Sequence, residues 1–158
     1  MEIKAQVVNA PARPEQVHRL SIFLAGNTSA TAEPSWRQTL IDGLSSHAVT
    51  IFDPTRDDWD STWKEDASDT RWAEQIRWEL DMQDTADIIV ILFNGVTLAP
   101  ISLAELGMSI KSGRTIVCAL DGYAKKGYVE EVCRKYDGTF VRSEEELERA
   151  VIDRLMRL

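Results

Sequence analysis

Residues 87–113 read Asp87-Ile-Ile-Val-Ile-Leu-Phe-Asn-Gly-Val-Thr-Leu-Ala-Pro-Ile-Ser-Leu-Ala-Glu-Leu-Gly-Met-Ser-Ile-Lys-Ser-Gly113. From Ile88 to Phe93 the run is unbroken, apolar and rich in β-branched side chains. That is the pattern of a parallel strand covered on both faces. Asn94-Gly95 ends the run, and Pro100 resets the chain before a helix expected to begin near Ser102. Gly113 suits the C-terminal cap of that helix. Glu105 then falls in the first helical turn, just past the C-terminal end of a central strand. Open α/β sheets bind their ligands at that edge. Two readings of Glu105 stand at this point. Ser102-Leu-Ala-Glu105 fits a capping box, in which both side chains satisfy free backbone N–H groups, and the helix dipole favours a carboxylate there. The other reading is catalytic. On spacing alone, capping is the commoner use of such a pair.

Outward from this segment, apolar runs alternate with helical patterns. Strands are expected at 21–25 and 49–52 upstream, and at 114–120 and 139–141 downstream. Residues 34–46 make a helix with Trp36, Leu40 and Leu44 on its core face. Residues 69–84 make a second, with Trp72, Ile76 and Leu80 read as its apolar stripe. Residues 128–136 make a short helix. Ser143-Glu-Glu-Glu146 is another capping box and opens a terminal helix with Leu147, Val151 and Leu155 inward. The alternation predicts a three-layer α/β sandwich around a mainly parallel five-stranded sheet, in the flavodoxin- or Rossmann-like order 2-1-3-4-5. Residues 1–19, with Pro11 and Pro14, read as an extended arm or an edge segment available for oligomer contacts, and residues 20–158 as the domain.

The formal net charge of −8 argues against nucleic-acid backbones and anionic membranes as main partners. Cys118 lies in an apolar run and reads as core, and with His18 and His47 far apart no metal site is expected. Neither a Walker loop nor G-x-G-x-x-G occurs, so a dinucleotide cofactor has no motif support. The first residues lack the character of a signal peptide and no apolar run is long enough to span a bilayer, which leads to an expected cytoplasmic location.

Polar groups collect at the strand ends. Gly26 closes the first strand and permits close backbone approach or a positive φ. Asn27 and Thr28 follow, either as an ordinary turn or as a cradle for sugar or phosphate. Asp53-Pro54 closes the second strand. The loop at 55–67 holds Arg56, Asp57, Trp59 and Trp63. Trp59 either stacks on a nucleobase or covers the core. Arg56 pairs either with an anionic ligand group or with neighbouring aspartates. Glu79 lies beside the apolar stripe of its helix, where most glutamates are solvated charges. Asp87, at the opposite edge, reads as structural. Tyr123 and Tyr128 follow the fourth strand, placed to meet a ligand or a neighbouring subunit.

Three pieces of the chain together resemble the nucleoside 2-deoxyribosyltransferase-like family: Ser-Ile-Phe-Leu-Ala-Gly26, Phe-Asp-Pro-Thr-Arg-Asp-Asp-Trp59 and Pro-Ile-Ser-Leu-Ala-Glu-Leu-Gly107. The likeness covers about residues 20–141. It implies that Glu105 is the nucleophile that attacks the sugar anomeric carbon. It implies a second carboxylate at Glu79, eight residues before Asp87, where classical members often have Asp. Substrate contacts are expected from Phe23, Gly26, Asn27, Thr28, Asp53, Arg56, Asp57, Trp59, Asn94 and Ser102. The implied reaction is base exchange on 2′-deoxynucleosides through a covalent glycosyl-Glu105 ester, with no metal or organic cofactor. The alternatives are hydrolysis of a nucleoside 5′-monophosphate or NAD, and nucleotide binding without turnover. They stay open because Ala99 stands six residues before Glu105, where classical transferases carry Asp or Ser. Family members often complete the active site from a neighbouring protomer, which implies a homodimer or larger assembly.

Overall fold

The computed structural model describes residues 2, 4–26 and 35–158. Its six strands are β1 (Gln6–Asn9), β2 (Ser21–Gly26), β3 (Thr50–Asp53), β4 (Ile88–Phe93), β5 (Thr115–Ala119) and β6 (Thr139–Val141). They lie in the order β1-β3-β2-β4-β5-β6, every neighbouring pair parallel. Five of them keep the order expected from the sequence. The sixth, β1, is an addition: Gln6 to Asn9 lie opposite Thr50 to Asp53 and extend the sheet at one edge. A four-residue strand with one buried side chain, Val8, leaves only a short apolar pattern to detect.

The helices are α1 (Trp36–Gly43), α2 (Thr70–Thr85), α3 (Pro100–Ser109), α4 (Lys126–Lys135) and α5 (Glu144–Arg157), with a 3-10 turn at Ile110–Ser112. Strands alternate their side chains between faces, so β2 and β4, buried throughout, feed two cores. Phe23, Phe52, Ile89, Ile91 and Phe93 meet Trp78, Leu106 and Val129 on one side. Ile22, Leu24, Ile51, Val90 and Leu92 meet Leu40, Leu44, Val151 and Leu155 on the other. Helices therefore cover both faces in three layers. Cys118 and Cys133 are buried and free. Asp87 accepts the Ser21 N–H at 2.8 Å, a structural tie at the N-terminal edge.

The α2 stripe is rotated from its expected phase. Leu80 is 43% exposed, whereas Trp78 is fully buried, with Gln75 and Gln83 buried on the same face. The indole decides the phase because it buries more apolar surface than Leu80 can. It sits between the rings of Phe23 (6.2 Å) and Phe52 (6.4 Å) and donates its Nε1–H to the Ala12 carbonyl at 2.8 Å.

β2 ends on a constraint that only glycine meets. Gly26 has φ +113°, and a Cβ there would lie 2.4 Å from the Leu92 carbonyl oxygen on β4. Gly26→Ala should cost more than about 2 kcal/mol of unfolding free energy, from strain and backbone collision together. Urea denaturation measures this, and a loss under about 0.5 kcal/mol would mean that the strands separate easily at this point.

Candidate active site

At the C-terminal edge of the sheet, β2 ends in Gly26, β3 in Asp53 and β4 in Phe93 followed by Asn94. The helix after β4 starts earlier than the capping pattern suggested. Ala99 is the N-cap, in the left-handed region at φ 49°, and Pro100 occupies the first turn. Thr97 Oγ1 accepts the Ala99 N–H at 3.2 Å. Proline at the first helical position is preorganised for a start there. Ser102 is therefore inside the helix and caps nothing, and Glu105 lies one turn further in. The 102–105 capping box is thus set aside. The one at Ser143 does cap its helix, with Ser143 Oγ accepting the Glu146 N–H at 3.1 Å. Glu105 is instead a buried side chain, 5% exposed, beside a buried Ser102.

What faces Glu105 comes from α2 and α1. Gln75, Glu79 and Gln83 recur every fourth residue on α2 and share one side of the helix. Gln83 Nε2 donates to Glu105 Oε2 at 2.7 Å. Gln75 Nε2 donates to the Pro54 carbonyl at 2.9 Å, and its Oε1 is buried without a partner. Arg37, from α1 in the opposite helix layer, reaches over the end of β2. Its Nη2 donates to the carbonyls of Leu24 (3.3 Å) and Gly26 (3.2 Å), and its Nε lies 3.9 Å from Asp53 Oδ1.

Both carboxyls hold their protons far above the ordinary range. Burial pushes Glu105 up to about 8; the negative charge of Glu79 adds to this, while Arg37 and the Gln83 N–H oppose it. Burial pushes Glu79 up to about 7, opposed by Arg37 and Gln75. Two carboxyls in one desolvated space titrate as a unit, so near neutral pH they retain about one proton between them. Such a pair offers one anionic oxygen nucleophile and one acid together.

A profile described as "Nucleoside 2-deoxyribosyltransferase like" matches residues 19–123, about two thirds of the chain. The chain belongs to that family. The crystal structure of a conserved protein from Enterococcus faecalis V583 is similar in fold to this family member, with TM-score 0.60 and 18% identity over 85% of this chain and 98% of the other. No curated protein matches the chain.

The other residues expected to bind substrate in this family member divide into groups. Gly26 and Asp53 join the Arg37 cluster. Asp53 also accepts the Thr55 N–H at 3.0 Å, and Asn94 Oδ1 accepts that of Val96 at 3.0 Å. Phe23 is corrected: its ring is wholly buried against Trp78 and belongs to the core, beneath the site. Arg56 is bound to Asp58 at 2.8 Å and Glu74 at 3.1 Å and lies over the Trp63 ring, so it takes the commoner of its two readings. Asp57 lines a cleft of about 380 Å³ with Asn9, Pro11 and Thr55. Trp59 is 47% exposed and lies 4.6 Å from Trp63, which is buried beneath the Arg56 and Arg71 guanidiniums, so Trp59 is not a lid on the core. Asn27 and Thr28 lie outside the described residues. Tyr123 is buried, stacked on Phe93 at 4.8 Å with its hydroxyl donating to the Leu98 carbonyl, and so cannot reach a neighbouring subunit. Among the described residues no group of His, Cys, Asp and Glu could hold a metal ion, and no helix is long and apolar enough to cross a membrane.

Three members of the site, Gln75, Gln83 and Arg37, were missed from the sequence. Each had a signal. Gln75 and Gln83 keep the four-residue spacing with Glu79. Arg37 lies three residues before Leu40 and seven before Leu44, on the face that those residues bury. A charge on a core stripe marks a buried partner elsewhere.

The raised Glu105 titration has a sign that unfolding can test. Between the ordinary 4.5 and about 8 the folded chain keeps a proton that the unfolded chain has lost. Stability therefore falls as pH rises through that window. Glu105→Gln keeps the bond from Gln83 and removes the titration. The variant should match the parent at pH 4.5 to 5 and exceed it by roughly 1–3 kcal/mol at pH 8 to 9. Urea midpoints across that range read this directly; a difference independent of pH would refute it.

Proposed function

We propose that this protein transfers the 2-deoxyribosyl group of a 2′-deoxynucleoside from one base to another, through an ester with Glu105. The observation that carries the reading is the buried Glu105 carboxyl, free of capping duty and sharing a desolvated space with Glu79 and Arg37. Within the singly protonated pair, the form with the proton on Glu79 leaves Glu105 ionised, and in that form Glu105 attacks C1′ as the C1′–N bond breaks, through an oxocarbenium-like transition state. Glu79 gives its proton to the departing base. A nitrogen of the incoming base then attacks C1′, Glu105 leaves as carboxylate, and Glu79 takes the N–H proton that the incoming base gives up. Two displacements retain the configuration at C1′.

Charge favours an uncharged nucleoside over a 5′-monophosphate or NAD. Among the described residues Arg37 is the cation acting on the two carboxyls, and it is already engaged by Asp53 and two carbonyls. Arg56 is held by two carboxylates. The 27–34 segment carries Glu33 and neither Lys nor Arg. Among the described residues, a phosphate beside the two carboxyls would meet Arg37 already engaged and Arg56 already paired. A panel of nucleosides, deoxynucleosides, monophosphates and NAD, with and without an acceptor base, separates these cases. Base exchange on deoxynucleosides is the expected result; free sugar from monophosphates alone would establish the hydrolase instead. Glu105→Gln should still bind nucleoside and lose about a thousandfold or more of base release. More than about a tenth of parental turnover, within about 1.4 kcal/mol of barrier, would return Glu105 to a structural role.

The same reading includes a homodimer, built on the outer face of α3. Ile101 and Met108 on the helix, with Val96 and Leu98 from the loop that leads into it, are 49–64% exposed, and Glu105, the helix's one charged residue, points inward. On a chain of net charge −8, an uncharged apolar face is where a like-charged second copy can approach without repulsion. Light scattering should give a dimer for the parent and a monomer for Ile101→Asp with unchanged circular dichroism. A monomeric parent at micromolar concentration would contradict the interface.

A further inference from the structure

Arg37 does more than tie α1 to the sheet. Its guanidinium is buried at the end of β2, and the residue is 6% exposed. The planar fork bonds two carbonyls of one strand, at Leu24 and Gly26, while Nε faces Asp53. That anchoring fixes the group at the point where β2 passes between β3 and β4, with α2 and α3 packed on the same strand. Arg37 interacts electrostatically with Asp53, Glu105 and Glu79. Around it, Glu105 faces Glu79 and Gln83, and Glu79 faces Gln75.

We propose that Arg37 is a positioning residue, whose anchored guanidinium supplies the fixed positive charge against which Glu79 and Glu105 share a single proton. The inference rests on the two-carboxyl reading of the site above. Arginine suits the place for a physical reason. A guanidinium stays charged at any pH that the fold survives, whereas a buried lysine sheds its proton as burial deepens. Without that charge, a second desolvated anion beside the first is too costly, and both carboxyls stay protonated at neutral pH. Neither could then act as the nucleophile. With it, one carboxyl ionises while the other keeps its proton, the state that transfer requires. Arg37 need not touch the substrate to do this.

The test titrates the carboxyls themselves, in the full chain uniformly labelled with carbon-13 at glutamate. Glu79→Gln and Glu105→Gln assign the two signals. In the parent, the two midpoints should lie near 7 and near 8. In the neutral variants Arg37→Gln and Arg37→Met, both midpoints should rise by about one pH unit or more, a tenfold change in proton affinity. The acid limb of the base-release profile should move with the lower midpoint. A folded neutral variant whose midpoints stay at parental values would overturn the proposal. So would a parent in which both carboxyls titrate below pH 5, a result that needs no variant to fold. The titration requires no turnover, so a chain inert toward nucleosides would still reveal what Arg37 does.

Discussion

The structure turns on the cost of burying charge. Two carboxyls and one guanidinium occupy a desolvated space at the C-terminal end of β2, and each restrains the others. Glu105 is tolerable there because Gln83 donates to it and Arg37 opposes its charge. Arg37 is tolerable because it is satisfied by two carbonyls and Asp53. Removing Arg37 takes away the charge that opposes both carboxyls, and a buried charge left unmatched usually costs more than the pair contributed. The arrangement reads as reactivity held in place and not as a source of stability.

Backbone geometry makes that space possible. Gly26 lets β2 approach the Leu92 carbonyl more closely than any side chain would allow, and its own carbonyl receives Arg37. β4 is buried on both faces, which fixes where α3 can start. The left-handed turn at Ala99 and the proline after it then set the helix one turn deeper than its capping residues suggested. Glu105 faces inward as a result. On the opposite side, Trp78 locks the rotation of α2, and that rotation brings Gln75, Glu79 and Gln83 to the site.

Much of the fold was legible because burial on both faces writes an unbroken apolar run, as at 88–93, and because α1 and α5 keep simple amphipathic stripes. Strand β1 was hidden by its brevity. The α2 face was misread because two stripes compete in one helix: Trp72, Ile76 and Leu80 look more apolar than a face holding two glutamines and a glutamate. Trp78, which shares that polar face, is what turns it inward. The same conflict explains the false capping box. Ser102 and Glu105 have the right spacing, but Pro100 starts the helix before them. Phe23 was placed among substrate contacts because it lies in the quoted strand; period-two alternation sends its ring into the core. Arg37 went unseen because a single arginine near a helix start looks like any surface cation until the fold shows where it reaches.

The most direct measurement is a search for the covalent intermediate. The protein should be mixed with a 2′-deoxynucleoside without acceptor base, quenched in acid within the turnover time, digested and mapped by mass spectrometry. The account predicts one deoxyribosyl unit on the peptide that contains Glu105, lost again when an acceptor base is added before the quench. Base release without any adduct on Glu105, or an adduct on another residue, would contradict it.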